Sequence, residues 1–204
     1  LAAPKLIAAG HEVTSVFRNP DHQADVAATG ATPRVGDVEA MDTTALAELL
    51  ADHDVVVWSA GAGGGNPART YAVDRDAAIR SMAAAQEAGV PRYVMVSYFG
   101  AGLDHGIAED DPFFPYAEAK AAADDQLRAS GLGWTILMPS RLTTDPSHGA
   151  LDPEPAAAGP TSRELVADLI TAVVDADPAT VGRRDLPFTD GDVPIAEVLA
   201  RPHH

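Results

Sequence analysis

The chain reads as an α/β domain, a doubly wound parallel sheet (Rossmann fold), and three observations predict it. Runs at residues 54–59 (D-V-V-V-W-S) and 92–96 (R-Y-V-M-V) are apolar without alternation, as strands buried on both faces of a parallel sheet are. Longer segments with apolar residues at helical spacing separate such runs. Glycines stand where those segments end, at Gly10, Gly30, Gly89 and Gly131, the residue that best closes a helix.

In chain order, residues 1–10 form the latter part of a helix ended by Gly10. Residues 11–17 alternate like a strand and stop at Arg18-Asn19-Pro20. Residues 21–29 are helical, 32–35 a short strand, 43–50 a helix and 54–59 a buried strand. A glycine-rich turn follows at 60–65, of which Gly63, Gly64 and Gly65 are read as a flexible extension. A long helix spans 71–88, a buried strand 92–96, a loop 98–115 and a helix 115–130. Residues 134–138 give the next strand. Residues 145–160, rich in Pro, Ala and Gly, read as a mobile loop. A helix over 162–176 is capped by Thr161 or Ser162. A strand at 185–188 and a helix at 195–200 complete the chain. No internal repeat or linker is evident, so residues 1–204 form a single domain, with about 98–115 and 145–160 covering the substrate.

The formal net charge is -16 over 204 residues. Such a field repels nucleic acid and anionic membranes and reads as a feature of solubility. The expected partner is a small molecule, with the chain a monomer or homodimer. Cysteine is absent, which excludes disulfides and thiolate metal sites and suits a cytoplasmic location. No apolar run is long enough to span a bilayer, and no secretory signal is evident. His53, His105 and His148 lack metal-ligand spacing, so no metal is expected and they read as loop residues. His203 and His204 are assigned no function.

The chemistry-bearing motif is Y-A-E-A-K, Tyr116 with Lys120 four residues on, preceded by Ser97 after the strand 92–96. Residues i and i+4 share one helix face. An ammonium there favours phenolate, so the tyrosine could exchange a proton nearer neutral pH than an isolated phenol. A serine at a neighbouring strand end could hold the oxygen being protonated.

The order of these segments resembles the short-chain dehydrogenase/reductase superfamily. Within it the chain is similar to the atypical branch of small NAD(P)H-binding proteins, named for epimerases, dehydratases and nitrogen-metabolite regulators. The matching pieces are A-A-G-H-E-V-T-S-V-F-R-N-P, R-V-G-D-V, V-V-W-S-A-G-A, Y-V-M-V-S, Y-A-E-A-K and S-G-L-G-W-T-I-L-M-P-S-R-L-T. Such proteins open with a strand and a G-x-x-G-x-x-G loop that hold the pyrophosphate. Neither stands in this sequence. The resemblance leads us to expect about 15–20 further residues before Leu1, one strand and a glycine-rich turn.

The resemblance assigns further residues. Arg18 and Asn19 follow the second strand of such folds, where an arginine suits a 2′-phosphate and favours NADP(H) over NAD(H); Arg18 also fits a solvated loop. Asp37 and Val38 stand beside the adenine, although Asp37 equally suits an Asx turn. Ser59, Ala60, Gly61 and Ala62 let backbone approach ribose or diphosphate. Asp74 corresponds to a position that anchors a water and the lysine, or else simply favours a helix N-terminus. Lys120 would bond the nicotinamide ribose and polarise Tyr116. Met138, Pro139, Ser140 and Arg141 would pass the nicotinamide through backbone contacts, with Met138-Pro139-Ser140 standing where relatives carry Arg-Pro-Gly.

The implied activity is NADP-dependent reduction of a small carbonyl-, quinone- or flavin-like substrate. Tyr116 is the proton donor, Ser97 orients the oxygen, and Lys120 and Asp74 support them. The alternatives are an NADP(H)-binding sensor without turnover and an epimerase or dehydratase.

Overall fold

The computed structural model describes residues 1–63 and 65–202; Gly64 of the glycine-rich turn, and His203 and His204, lie outside them. The architecture is α/β and mostly parallel. Strands β1 (Thr14–Phe17) and β2 (Thr32–Val35) pair in parallel as one small sheet. A second sheet of six strands contains β3 (Val55–Trp58), β4 (Arg92–Val96), β5 (Gly133–Pro139) and β9 (Arg184–Asp190), mutually parallel in the order β9-β5-β4-β3. Beyond β9 come β7 (Ala150–Asp152) and β10 (Val193–Pro194), through antiparallel pairings. The parallel sheet expected from the sequence thus carries an antiparallel extension at this edge.

The segment 145–160 is likewise no bare loop. It holds β7, while β6 (Arg141–Thr143) and β8 (Pro160–Ser162) pair in parallel across it. Its prolines hid these strands, because they punctuate short edge pieces that ladder bonds nevertheless join.

Among the described residues, the β1–β2 sheet and the six-stranded sheet are not joined by strand pairing. A cleft of about 590 Å³ runs between β1 and β3.

Helix α1 (Ala2–Ala8) packs on α7 (Arg163–Asp175). Lys5 Nζ reaches Glu164 at 3.2 Å and Asp168 at 2.6 Å. The Ser162 hydroxyl caps α7, accepting from Glu164 and Leu165, and so settles the choice left open with Thr161. Helices α2 (Gln23–Ala28) and α3 (Thr43–Leu50) flank the small sheet's crossovers, the latter capped by Asp42. The helix expected at 71–88 begins earlier. Asn66 caps α4 (Pro67–Thr70), a π-helical segment follows at Tyr71–Ala77, and α5 (Ala78–Glu87) continues it. Helix α6 (Phe114–Arg128) carries the Y-A-E-A-K motif. Short helices α8 (Pro178–Val181) and α9 (Ile195–Ala200) finish the chain.

Alternation places the core on both faces of the large sheet. Val94 and Leu137 join Leu165, Leu169 and Phe188 on one face. Tyr93, Met95, Ile136 and Trp58 join Met82 and Leu127 on the other. Each large apolar side chain so buried contributes about 1.5–3 kcal/mol. Helix α6 packs on the π-helical segment. Its Ala117 and Ala121, both essentially inaccessible, share a helix face with Lys120 and Asp124, so the polar residues of that face are buried with them. No helix among the described residues is long and apolar enough to cross a membrane.

Candidate active site

The parallel strands deliver their C-terminal ends to one edge. In open α/β sheets this is the edge where ligands bind. Arg18 follows β1, Asp37 and Val38 follow β2, and Ser59, Ala60 and Gly61 follow β3; all six line the cleft. Gly61 has no room for a side chain, since a Cβ there would lie 2.9 Å from Asp74 Oδ1. The turn therefore presents backbone, which a ribose or diphosphate can approach closely.

Two cations flank this turn. Arg69 donates to the Ala62 carbonyl at 3.2 Å and to Glu39 at 3.1 Å. Glu39 also stands 3.9 Å from Arg18, whose side chain is 55% exposed. The small residues and two guanidiniums fit the phosphates of a dinucleotide. Glu39 and Arg69 were not singled out in the sequence. Asp37 forms the Asx turn, accepting from the Glu39 amide at 3.1 Å, and it lines the cleft as well.

Asn19 turns elsewhere: its exposed side chain accepts from the Asp21 amide. Met138 is buried in the core. The Pro139 carbonyl accepts from Phe99 at 2.8 Å, and the Ser140 amide bonds to Phe188 and Thr161. Arg141 is exposed on β6. Met138 and Pro139 end β5, Ser140 follows and Arg141 opens β6, and none of the four lines the cleft.

The second half of the site is a buried polar cluster. Lys120 is 1% exposed and donates to the Val96 carbonyl at 2.8 Å and to Met95 Sδ at 3.4 Å. Ser97, the next residue after Val96, donates its hydroxyl hydrogen to Asp124. Asp74, in the π-helical segment, accepts from the Ala62 amide at 3.0 Å and so ties the cluster to the glycine-rich turn. Tyr116 packs in an aromatic group with Tyr98 and Phe113, ring centroids 5.5 and 5.2 Å away.

Asp124 is the residue the sequence reading missed. Its signal was present as Y-x-x-x-K-x-x-x-D, because Tyr116, Lys120 and Asp124 repeat at four-residue spacing along one helix face.

Electrostatics correct one expectation. Lys120 does not pull the Tyr116 phenol down. Burial pushes it up, and the Asp74 and Asp124 carboxylates push the same way. Burial also lowers the Lys120 ammonium, against the pull of Asp124 and Asp74. Burial raises Asp74 above an ordinary aspartate, with the Ala62 amide opposing. Asp124 is raised to about 6 by burial, despite Lys120, Ser97 and Arg128. The cluster is thus two carboxyls sharing one ammonium beneath a phenol that keeps its proton.

His105 is more than a loop residue. Its side chain is 5% exposed, pairs with Glu118 at 2.8 Å and packs edge-on to Phe114. No group of three or more metal-ligating residues occurs among the described residues.

Parallel strand ends, a backbone-presenting turn and a Ser/Tyr/Lys cluster define a dinucleotide-binding Rossmann protein. The chain belongs to the NAD(P)H-binding family, whose sequence profile matches residues 1–177, and so binds a nicotinamide cofactor. It is 32% identical over 193 residues to an uncharacterized Bacillus subtilis (strain 168) protein named as the sugar epimerase YhfK, covering 94% of this chain and 88% of that one. A Bacillus halodurans structure provisionally named an NAD-dependent epimerase/dehydratase superposes with a TM-score of 0.85 at 29% identity, covering 97% and 91% of the two chains. A short-chain dehydrogenase/reductase from Veillonella parvula, solved with NADP, shares the fold at a TM-score of 0.68 and 20% identity, covering 95% and 93%.

Proposed function

We propose that the protein is an NADPH-dependent reductase of a small carbonyl-, quinone- or flavin-like substrate. The observation that carries this reading is the Ser97–Lys120–Asp124 cluster lying directly below Tyr116 on α6, tied through Asp74 to the turn after β3. A bound NADPH supplies the hydride. Arg18 and Arg69 hold its phosphates, and Ser59–Gly61 offer the backbone against which the dinucleotide lies. The Veillonella parvula protein with NADP bound shares this fold, which favours the same cofactor class here.

Tyr116 gives its proton to the substrate oxygen as negative charge develops there. The buried phenol is fully protonated at neutral pH and so has a proton to give, although the upward shift makes it a weaker acid than a free phenol. Lys120 acts from within the cluster, holding the Val96 carbonyl beside Ser97 and offsetting the Asp74 and Asp124 charges. Tyr98 and Phe113 make an aromatic wall beside Tyr116, suited to a flat, apolar substrate.

An NADPH-oxidation screen over quinones, flavins, aldehydes and ketones tests the reading. Turnover of one class that is lost in Tyr116→Phe supports it. NADPH binding without turnover of any class would favour a redox sensor instead. Exchange of a sugar stereocentre without net NADPH oxidation would favour an epimerase, the name its Bacillus subtilis relative carries.

A further inference from the structure

Asp124 is a buried carboxyl for which the Ser/Tyr/Lys reading has no use. Its Oδ2 accepts the Ser97 hydroxyl hydrogen, and its Oδ1 is buried without a hydrogen-bond partner. Both residues are nearly inaccessible, Asp124 at 0% and Ser97 at 4%. A serine hydroxyl has one hydrogen and two lone pairs. While that hydrogen lies on Asp124, Ser97 can offer a substrate oxygen only lone pairs. It can then accept from an alcohol, but it cannot donate to a carbonyl.

We propose that Asp124 is the positioning residue that sets the polarity of Ser97. As a carboxylate, Asp124 holds the hydroxyl hydrogen and leaves Ser97 an acceptor, suited to an alcohol. As a carboxylic acid, it donates to Ser97 Oγ and frees the serine hydrogen for a carbonyl oxygen. The proton that Asp124 gains comes from solvent, and no other bond changes. The consequence for catalysis rests on the reductase reading above; the switch is a property of the Asp124–Ser97 pair itself.

The surroundings suit a group that changes charge near neutrality. On α6, Lys120 and Arg128 favour the carboxylate, and Asp185 on β9 opposes it. Arg128 is already paired with Asp185 at 3.1 Å. From the π-helical segment, Asp74 acts on Lys120 and competes for its charge. Tyr98 and Tyr116 face Asp124 as neutral phenols, each raised in part by it. Arg69 on α4 acts on Asp74 and is engaged by Glu39. On α5, Arg80 is engaged with the Val38, Glu39 and Met41 carbonyls and Glu87 is exposed. Strand β5 carries no ionisable side chain. Burial dominates, and it leaves Asp124 at about 6.

The test has two arms on the full chain. In the first, carboxyl ¹³C shifts of aspartate and the Cβ shift of Ser97 are followed by NMR from about pH 4.5 to about pH 8, without cofactor. The expected result is an Asp124 midpoint near 6 with Ser97 moving on the same midpoint, and a Ser97 shift that stays flat in Asp124→Asn. An Asp124 midpoint near the ordinary aspartate value, or a Ser97 shift indifferent to it, overturns the proposal. In the second arm, NADPH-driven reduction of phenanthrenequinone is measured against pH. Wild-type kcat/KM should fall about tenfold across the Asp124 midpoint, the worth of one hydrogen bond, and Asp124→Asn should flatten that step. An Asp124→Asn enzyme that keeps the wild-type step overturns the proposal. Should phenanthrenequinone not be reduced, the reductase reading suffers while the NMR arm still decides the switch. Should Asp124→Asn not fold, the wild-type titration decides alone.

Discussion

The small β1–β2 sheet and the large sheet that ends in β3 face each other across the cleft, yet they are built differently. In β1 and β2 no residue is buried, and Val16 and Val35 are 38% and 46% exposed. In β5 every residue from Trp134 to Pro139 is buried. The functional groups follow suit. Arg18 and Asp37 sit on the lightly packed side, solvated and adjustable. Ser97, Lys120 and Asp124 are fixed on the heavily packed side, each in a defined hydrogen bond. Binding a charged phosphate tolerates adjustment, because Coulomb attraction falls off slowly with distance. Proton transfer does not, because it needs heavy atoms about 2.6–3.2 Å apart. The packing is densest where the chemistry is least forgiving.

The contrast can be broken first at Tyr116. Removing its hydroxyl in Tyr116→Phe keeps the ring against Tyr98 and Phe113 and should lower turnover by about 10²–10⁴-fold, the usual contribution of a general acid, with NADPH affinity unchanged. Steady-state kinetics beside fluorescence titration, using Trp58 in the cleft wall, checks both parts. Next comes Lys120→Met, which leaves Asp124 and Asp74 as buried carboxyls without their shared ammonium. Stability should fall by about 3–5 kcal/mol in urea at pH 8. The loss should shrink at pH 5, where Asp124 takes up its proton and needs the ammonium less.

Wild-type stability should itself depend on pH with an unusual sign. Asp124 is raised in the folded protein from the ordinary 3.8 to about 6. The native state therefore holds this proton more tightly than the unfolded chain. Its contribution is present below the unfolded value and is lost as pH rises through the folded one. Between about pH 4 and pH 6 the term removes about 3 kcal/mol, and Asp74 acts in the same direction. The difference in denaturant midpoints between wild type and Asp124→Asn across that window isolates the Asp124 term, since the variant should lose that part of the slope and keep the Asp74 part. The smallest effect is on the lightly packed side. Arg18→Ala should cost about tenfold in NADPH affinity and leave NADH unchanged, one exposed charge-assisted contact being worth about 1.4 kcal/mol. Glu39→Gln should shift the same preference the other way by releasing Arg18 and Arg69. Parallel titrations with both cofactors measure it.

Much of this was legible in the sequence. The unbroken apolar runs at β3 and β4 could only be buried strands, and Gly10, Gly30 and Gly89 do take positive φ at helix ends. Tyr116, Lys120 and Ser97 were legible because helix spacing and a strand end fix where they project. What was hidden depended on tertiary context. Nothing local says that the Lys120 ammonium turns to the Val96 carbonyl rather than to Tyr116, because that follows from how closely the alanine face of α6 packs. Asp124 looked like any helix acid, since burial is not written in a single residue. The antiparallel edge strands were obscured by the prolines at 153, 155 and 160, which argue for loop until long-range ladders form.

The π-helical stretch at Tyr71–Ala77 has a consequence for how relatives of this chain should be aligned. A π turn is an α-helix carrying one residue more than its pitch allows. Losing one residue within Tyr71–Ala77 would remove the bulge, restore the ordinary pitch and change which side chain projects where Asp74 now does. A loss that moved Asp74 off that place would remove the hydrogen bond it accepts from Ala62. A single-residue gap in the middle of a helix is normally discarded as an alignment error. Here it would be a genuine dividing mark, separating proteins whose glycine-rich turn is anchored by a carboxylate of the helix that follows it from those whose turn is not.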